Sequence, residues 1–522
     1  MLHRKIAEFK ERRARVGPLP SGSAPHVSST MFRDSIPGAT SASKARRWDH
    51  RFSIECSSQP LSALKAASSA SKRSDMISLG TARLTPEYYP WQSITMTNAE
   101  FSQEAAVESF QSTTTTTCSK GEVAFDLGIA LNYGYAAGSP QLLRFVTEHV
   151  ELVHNPPYED WECSLTCSTT PALSMAFRIF CNRGDYVIAE SSTYSGTLDC
   201  VRAQGLNILG VEMDNDGLLP DDLDQKLRDW DISRGPKPFL LYTIPSGHNP
   251  TGVTQTLERK KAIYQVAEEH DLYIIEDDPY YFIQLEGRTA GSDSGTTNRS
   301  AEEYLCGLSP SYLSLDISGR VVRMDTTSKI LAPGLRCGWI TGSRQVIQKF
   351  LSQADISTSS PGGLSQVMLY KLLDETWGHQ GFLEWLSYLA SQCRRRRDIL
   401  VDACDRHLPL EICSWVVPTS GMFLWIQLDL TKHPEAISEK SHLRIQQYSL
   451  DIEDRIYTEA RKCGVIVSRG SWFDCAIRKT SSIYFRLTFA AAPSNVLESG
   501  IKRFGVTLEA EFKRPSQTSH DV

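Results

Sequence analysis

The chain has 522 residues, of which 41% are hydrophobic and 22% are charged, and its formal net charge is −6. This composition is typical of a globular protein with two or three domains. It gives no reason to expect nucleic acid or an anionic membrane as a partner, and no apolar run approaches the roughly 20 residues that span a bilayer. The 13 cysteines show no repeated spacing, which favours a reducing compartment, and Cys163 and Cys167 lack the second pair that a zinc site needs. We therefore expect no metal site.

The first 46 residues differ from the rest of the chain. Residues 1–16 are rich in arginine, and residues 21–43 are rich in serine, proline, glycine and alanine. This composition predicts a disordered arm over residues 1–46, and a mitochondrial targeting segment is the alternative. Because the segment lacks the apolar stretch of a secretory signal, we expect a cytoplasmic location.

From residue 185 onward, short apolar runs alternate with helical patterns. The apolar runs predict strands over residues 185–190, 239–244, 272–275 and 321–324, and residues 257–270 form an amphipathic helical pattern. Such alternation is typical of βαβ units and predicts an α/β fold with a mostly parallel sheet. In this fold class, ligands bind beyond the carboxyl ends of the strands.

Two polar segments are expected at the surface. Residues 287–303 are rich in glycine, serine and threonine, which predicts a loop. Residues 394–397 are four consecutive arginines within a helical pattern, and we expect them to form a solvated helix face.

The most informative segment covers residues 321–342, VVRMDTTSKILAPGLRCGWITG. A predicted strand leads to Ser328 and Lys329, and Arg336 follows seven residues later. A lysine in an apolar setting at a strand end can lose its proton and attack an aldehyde. Hydroxyls and an arginine nearby suit the phosphate of the same ligand. The segment therefore suggests a lysine that holds pyridoxal phosphate as a Schiff base, although a Ser-Lys pair alone is more often an exposed pair beside a turn.

Polar residues also follow two other predicted strands. Asn249 begins an Asn-Pro-Thr-Gly sequence, which is typical of a plain turn but can also place an amide donor near O3′ of the cofactor. Asp277 follows the 272–275 strand, where a carboxylate can cap a turn or pair with a protonated pyridine nitrogen. Tyr280 lies three residues later, where its hydroxyl can also reach O3′.

Residues that suit the phosphate and the ring occur earlier in the chain. Thr169 and Thr170 precede a helical pattern over residues 172–180. A helix N-terminus binds phosphate through its N–H groups, although threonines there are more often simple N-caps. Tyr194 follows the 185–190 strand, where an aromatic face can stack on the pyridine. Each signal is weak alone, and their common position at strand ends supports the cofactor site.

The sequence resembles the fold-type I pyridoxal-phosphate aminotransferases, specifically the fungal and animal aromatic amino acid/2-aminoadipate (kynurenine) aminotransferases, over roughly residues 47–504. The resemblance is carried by LNYGYAAGSPQLL (131–143), YSGTL (194–198), HNPTG (248–252), EDDPYYF (276–282), SKILAPGLRCG (328–338), PTSGMFLW (418–425) and YFRLTF (484–489).

The resemblance implies a domain organisation. A large domain over residues 131–345 would hold a mostly parallel, seven-stranded sheet between helices, and residues 346–508 would form a smaller α+β domain. Residues 47–130 would supply an N-terminal arm and part of the small domain, and residues 509–522 a tail. The family also implies a homodimer with shared active sites.

The resemblance implies the role of each site residue. Lys329 carries the Schiff base and moves the proton at the substrate Cα, Asp277 pairs with the pyridine nitrogen, and Tyr194 stacks on the ring. Asn249 and Tyr280 bond O3′, with Asn249 also beside the substrate, and Arg486 binds the substrate α-carboxylate; without the resemblance, Arg486 would be taken for a sheet-edge arginine. The phosphate ligands would be Thr169, Thr170, Thr326, Ser328 and Arg336, with Tyr133 reaching from the partner subunit.

The implied activity is the transfer of an amino group from an amino acid, expected to be aromatic, to a 2-oxo acid such as 2-oxoglutarate, with ping-pong kinetics. Because a fold does not fix a reaction, cysteine-conjugate β-elimination or decarboxylation in a specialised biosynthetic pathway is the alternative. A regulatory protein with an aminotransferase-like sensor domain would need an N-terminal winged helix-turn-helix, for which about 50 preceding residues are too few.

Three departures from the family pattern concern the pocket. Ser168 stands where family members carry a glycine, and a Cβ makes that turn less permissive. Gly80-Thr81-Ala82-Arg83 replaces a glycine-rich run that borders the substrate, which predicts a narrower, differently charged pocket. The arginine that binds a distal acidic group in several relatives is missing from residues 57–62, and Arg83 is the candidate to replace it.

Overall fold

The computed structural model describes residues 1–20, 22, 24–33, 43–59, 82–99, 113–287, 299–435, 442–476 and 482–514. The chain divides into two compact units. The first consists of Met1–Asp185, Leu272–Pro279 and Asn298–Tyr388, and the second of Tyr186–Asp271, Tyr280–Thr297 and Leu389–Val522. Each unit is thus assembled from separate stretches of chain. The predicted boundaries at residues 46, 130, 345 and 508 follow chain order instead, and they stay a prediction.

The described strands are β1 (Ser93–Ala99), β2 (Thr113–Ser119), β3 (Trp161–Thr166), β4 (Tyr186–Glu190), β5 (Asn207–Val211), β6 (Met213–Asp214), β7 (Gly217–Leu218), β8 (Leu240–Thr243), β9 (Tyr273–Asp277), β10 (Val321–Thr326), β11 (Gly338–Ser343), β12 (Cys413–Ser414), β13 (Phe423–Asp429), β14 (Ser468–Arg469) and β15 (Ser482–Thr488).

The described α-helices are α1 (Leu2–Val16), α2 (Ile54–Ser58), α3 (Leu127–Ala130), α4 (Pro140–Val153), α5 (Thr169–Phe180), α6 (Ser195–Ala203), α7 (Pro220–Arg228), α8 (Leu257–Glu269), α9 (Ala301–Gly307), α10 (Tyr312–Leu315), α11 (Arg344–Asp355), α12 (Gly363–Tyr370), α13 (Gly378–His407), α14 (His442–Lys462) and α15 (Ser494–Phe512). Within the described ranges, none of these helices combines the length and the apolar character that a membrane crossing needs.

The principal sheet has seven strands in the order β3-β11-β10-β9-β8-β4-β5. In the first unit, β10 is parallel to β9, and β11 is antiparallel to both β10 and β3. In the second unit, β4 is parallel to β5 and β8. Every residue of β8, β9 and β10 is buried, as expected for strands of a covered parallel sheet. The predicted α/β fold with a mostly parallel seven-stranded sheet is confirmed.

Smaller sheets complete both units. In the first unit, β1 and β2 form an antiparallel hairpin. In the second unit, β12-β13-β15-β14 form an antiparallel sheet, and β14 and β15 pack against α14. Helix α5 packs on β3, β10 and β11 of the first unit.

The predicted strands are present, but two of them run further than the apolar pattern indicated. The β9 strand continues to Asp277 rather than ending at residue 275, and β10 continues to Thr326 rather than ending at residue 324. The backbone ladder persists because Arg323 of β10 pairs directly with Glu276 of β9, and their opposite charges are compatible with burial.

The N-terminal segment contains a packed helix, and the predicted disorder is wrong for residues 2–16. Leu2, Phe9 and Arg12 of α1 are buried. Arg12 forms two hydrogen bonds to the carboxylate of Glu151, at 2.7 and 3.0 Å. The composition was misleading because two arginines of this helix, Arg12 and Arg13, bind carboxylates of α4 and of residue Asp374 instead of facing water.

Glu148 on α4 is the central partner of this helix. Arg13 binds both of its carboxylate oxygens, with Nε–Oε1 at 2.8 Å, and also binds Asp374 at 2.6 Å. His379 lies 2.9 Å from the Glu148 carboxylate. Burial opposes ionisation of Glu148, but the hydrogen bonds from Arg13 and His379 outweigh burial and lower its pKa. The helix is therefore held by an ionised, buried carboxylate.

The two segments predicted to lie at the surface are only partly exposed. Residues 288–298 of the predicted loop lie outside the described residues, and the loop prediction is wrong from Ala301, where α9 begins at a capping box of Ser300 and Glu303. In the arginine run on α13, Arg395 is exposed, but Arg397 is fully buried and donates to the carbonyls of Glu286 at 2.8 Å and Pro418 at 3.0 Å. The solvated-face prediction is therefore wrong for Arg397, because unpaired loop carbonyls need donors.

Candidate active site

Lys329 lies in the first unit, three residues beyond the end of β10. The strand itself is buried throughout, but the side chain of Lys329 is exposed. The predicted apolar setting is therefore not what the structure shows. The chain leaves the packed sheet at Thr326, and the following turn carries the lysine out of the interior.

A cluster of three hydroxyl groups lies beside this turn. The Oγ1 atom of Thr326 lies 3.0 Å from Oγ of Ser328 and 3.2 Å from Oγ of Ser168. The Oγ atoms of Ser168 and Ser328 are 3.3 Å apart. Ser168 and Thr326 are each 3% exposed. Sequence analysis anticipated Thr326 and Ser328 here but treated Ser168 only as a departure at the backbone.

Helix α5 begins at the residue after this cluster. Thr169 and Thr170 form its first turn, where the N–H groups of the helix have no acceptor within the helix. Three hydroxyls beside the N-terminus of a 12-residue helix are a donor set that fits a phosphate group. The structure thus brings Ser168, Thr326, Ser328 and the start of α5 together.

Two other predicted phosphate ligands lie in the first unit with exposed side chains. Arg336 has a left-handed backbone with φ +46°, and its Nη1 donates to the carbonyl of Pro333 at 3.2 Å. The Tyr133 ring is 72% exposed. Neither position contradicts the predicted role, and both roles stay predictions.

Asp277 ends β9 and is 6% exposed. Its two neighbours, Glu276 and Asp278, are fully buried and both contact Arg323, at 3.0 and 3.5 Å from Nη1. Because side chains alternate along a strand, Glu276 and Asp278 point away from the face that carries Asp277. Arg323 therefore fixes the strand end from the opposite side.

The charge balance around Arg323 involves a third carboxylate. Asp325 lies two residues along β10, with its Oδ1 2.9 Å from Nη2 of Arg323. Burial opposes the charge on Arg323, but the surrounding carboxylates raise its pKa well above its usual value. Burial raises the pKa of Asp325 despite the adjacent cation. Glu276 also accepts the backbone N–H groups of Tyr312 and Leu313, at 2.8 and 3.1 Å. This cluster around Arg323 was not predicted from the sequence. The available signal was an arginine in one predicted strand and an acidic run, residues 276–278, at the end of another.

Arg486 is the central residue among the predicted site residues of the second unit. It lies on β15, an interior strand of the four-stranded sheet, so the sheet-edge alternative is wrong. Its Nη1 donates to Oδ1 of Asn249 at 2.6 Å, and its Nη2 donates to Oγ of Ser468 at 3.2 Å. The guanidinium also lies over the rings of Phe423 and Phe473, 4.5 and 4.7 Å from their centroids.

The two predicted tyrosines belong to the same unit as Arg486. Burial lowers the pKa of the Arg486 guanidinium, while nearby Tyr280 and Tyr194 act in the opposite direction. Tyr280 is buried and meets the ring of Phe423 edge-on, with centroids 5.3 Å apart. The second unit therefore brings Asn249, Tyr280, Tyr194 and Arg486 together.

The loop that carries Asn249 is positioned by close backbone packing. Gly247 has φ +53°, and a Cβ there would lie 2.4 Å from Cα of Gly421. Gly252 has φ +73°, and a Cβ there would lie 2.6 Å from the carbonyl oxygen of Phe423. A side chain at either position would push the Asn249 loop away from the segment that carries Phe423.

The segment predicted to border the substrate is described only in part. Gly80 and Thr81 lie outside the described residues, whereas Arg83 is described and exposed. Its proposed contact with a distal acidic group stays a prediction.

Comparison with known proteins identifies the family. Residues 110–504 match the family model for class I and II aminotransferases. The chain is 51% identical over 479 residues to aminotransferase swnA of Metarhizium robertsii, covering 90% of this chain and 93% of that one. It is 36% identical to an aromatic amino acid aminotransferase of Schizosaccharomyces pombe, over 90% of this chain and all of that protein. The crystal structure of aminotransferase Aro8 from Candida albicans matches with a TM-score of 0.82 and 34% identity, covering 90% of this chain and 99% of that one. The chain therefore belongs to the class I and II aminotransferases, enzymes of fold type I that depend on pyridoxal phosphate.

Proposed function

We propose that this aminotransferase moves the amino group of an aromatic amino acid to a 2-oxo acid such as 2-oxoglutarate, in a ping-pong reaction. The observation that carries the proposal is the environment of Arg486, a largely buried cation bonded to Asn249 and flanked by two phenylalanine rings. The similarity to an aromatic amino acid aminotransferase of Schizosaccharomyces pombe supports the substrate class.

Arg486 suits an α-carboxylate because of its remaining donors. Each terminal nitrogen of a guanidinium carries two N–H groups, and Asn249 and Ser468 engage one on each nitrogen. A carboxylate can accept the second N–H of both nitrogens in a fork, an arrangement that a lysine cannot reproduce. The adjacent rings exclude water, which strengthens such a charged contact.

The residues of the first unit are proposed to hold the cofactor and to move the proton. Bound pyridoxal phosphate supplies an aldehyde that captures the substrate amine and a ring that accepts electrons. Lys329 would move the proton between the substrate Cα and the C4′ carbon of the cofactor. Asp277 keeps the pyridine nitrogen protonated by charge pairing. The phosphate ligands are Thr169, Thr170, Thr326, Ser328 and Arg336.

The residues of the second unit are proposed to orient the ring and the substrate. Tyr194 stacks on the ring, and Asn249 and Tyr280 donate to its O3′ oxygen. Both roles are required by the reaction, because transamination needs a proton-transferring base and a carboxylate anchor for the substrate. Arg83 remains the candidate for contact with the far end of the substrate.

We further infer a homodimer in the cytoplasm. The exposed ring of Tyr133 is suited to reach the phosphate of the partner subunit. The packing of α1 against α4 favours a retained N-terminus over a cleaved mitochondrial targeting segment.

An absorbance experiment tests the function. The cofactor band of the purified enzyme should shift when phenylalanine, tyrosine or tryptophan is added, and 2-oxoglutarate should reverse the shift with formation of glutamate. Lys329→Ala should abolish the formation of glutamate, whereas Lys513→Ala, at an exposed lysine just after α15, should leave both responses intact. Pyruvate and ammonia from a cysteine conjugate, or loss of carbon dioxide, would instead identify elimination or decarboxylation. A response to aliphatic donors alone would refute the aromatic assignment.

A further inference from the structure

We propose that the side chain of Ser168 is an additional ligand of the cofactor phosphate, supplied by this chain where the family pattern has a glycine. The inference rests on the proposed function, since it concerns the phosphate of the same cofactor. Its basis is the position of the Ser168 hydroxyl within the cluster formed with Thr326 and Ser328.

The three hydroxyls form a nearly equilateral triangle. Their oxygen atoms are 3.0, 3.2 and 3.3 Å apart. One phosphate oxygen about 2 Å above the centre of such a triangle lies about 2.7 Å from all three, which is a normal O–H···O⁻ distance. Without Ser168, the same position would have two hydroxyl donors. The serine therefore completes a three-donor contact to a single anionic oxygen.

The three hydroxyl groups can bond to one another or donate to a bound phosphate, because their protons can rotate. Each serine or threonine hydroxyl has one proton that rotates about its C–O bond and two acceptor lone pairs. The three groups can bond to one another in a ring, and they can turn their protons toward an anion. Because Ser168 and Thr326 are almost completely buried, water offers them little competition, and an anionic acceptor makes stronger hydrogen bonds than a neutral one.

The backbone of Ser168 fixes the direction of its side chain. The residue has φ +79° and ψ 172° just before α5 begins, a conformation that glycine adopts readily and other residues adopt at a cost. Gly338 of β11 lies beside this residue, since a Cβ placed on Gly338 would be in van der Waals contact with Cα of Ser168, at 3.4 Å. The serine is thus held in a conformation that a glycine would tolerate better, with its hydroxyl in the phosphate cluster.

Two variants separate the hydroxyl from the backbone. Ser168→Ala removes the hydroxyl and keeps the unfavourable φ, whereas Ser168→Gly removes both. Both variants should weaken binding of pyridoxal phosphate to the apoenzyme by about 10–100-fold, the usual effect of one hydrogen bond to a charged group. Binding of pyridoxal, which lacks the phosphate, should be unchanged. Only Ser168→Gly should raise the Tm of the apoenzyme, by about 1–3 °C.

The measurement is a fluorescence titration of apoenzyme with each ligand, together with thermal unfolding. Ser164→Ala is the matched control, because Ser164 is a buried serine of β3 whose hydroxyl bonds to the carbonyl of Leu165; its affinity for both ligands should equal that of the wild type. Wild-type affinity for pyridoxal phosphate in Ser168→Ala, or an equal loss for pyridoxal, would overturn the inference. Failure of the wild-type protein itself to bind pyridoxal phosphate would instead refute the proposed function.

Discussion

Arg323 balances the charge of three buried carboxylates, and its removal should strongly destabilise the folded protein. Arg323→Met keeps most of the side-chain volume but leaves Glu276, Asp278 and Asp325 without a guanidinium that lies 2.9–3.5 Å from each. Breaking a buried ion pair by removing one partner costs about 3–5 kcal/mol. We expect the free energy of unfolding to fall by about 4 kcal/mol at pH 7, or roughly 1000-fold in the folding equilibrium. The cost is limited to this range because some of the remaining carboxyl groups can take up a proton.

The pH dependence provides a second test of the same reasoning. Without the cation, burial raises the carboxyl pKa values of the folded variant above those of the unfolded chain, so the folded state binds protons more tightly. The stability of the variant should therefore fall as pH rises from about 4, and its deficit relative to the wild type should be larger at pH 8 than at pH 5.

The assay is urea-induced unfolding of the wild type and the variant, followed by circular dichroism at both pH values. Arg323→Lys should lose less stability than Arg323→Met, since the positive charge remains and only the planar guanidinium is removed. Arg395→Met, at an exposed arginine of α13, should change stability by less than about 0.5 kcal/mol. A loss below about 1 kcal/mol for Arg323→Met at pH 7, or a larger deficit at pH 5 than at pH 8, would refute the argument.

Two other perturbations test separate parts of the molecule. Glu148 has a lowered pKa, so its contribution to the docking of α1 is present above about pH 4.5 and is lost as pH falls through the folded-state pKa. The amide protection factors of Leu2–Val16, which correct for the intrinsic pH dependence of exchange, should therefore fall on acidification, and Glu148→Gln should show lower protection at pH 7. Unchanged protection in Glu148→Gln would mean that apolar packing alone holds the helix. Arg486→Lys should raise KM for the amino donor about 10–100-fold by loss of the fork, with the cofactor band of the resting enzyme unchanged. An unaltered KM in steady-state kinetics would remove Arg486 from the carboxylate site.

The strands of the sheet were predictable because their interiors are continuous apolar runs, but their ends were not. Because an apolar pattern stops at the first charged residue, it predicted that one strand ends at residue 275. The backbone ladder nevertheless continues through Glu276 and Asp277, since Arg323 on the next strand balances the buried charge. Such compensation comes from residues distant in sequence, and a local pattern does not contain it.

Local sequence patterns also failed to predict the contacts of the buried arginines and of the site residues. The residues of α1 and Arg397 were expected to be solvated because charged composition normally indicates exposure, and their acceptors lie far along the chain. Asn249 and Arg486 were each predicted as site residues, but their direct hydrogen bond joins the loop after β8 to β15, which belongs to another sheet. The motifs predicted which residues belong to the site, but the contacts among these residues are visible only in the folded structure.

The interleaving of the two units has a consequence during protein synthesis. The first unit receives its last segment at Tyr388, although its first segment ends at Asp185. At a translation rate of about 5–20 residues per second, a ribosome needs on the order of 10–40 s to make the residues in between. During that interval β3 and α5 have emerged without β10 and β11, against which they pack. The nascent chain must therefore carry uncovered apolar surface for many seconds, which makes it a natural client for chaperones and makes a truncated N-terminal fragment prone to aggregate.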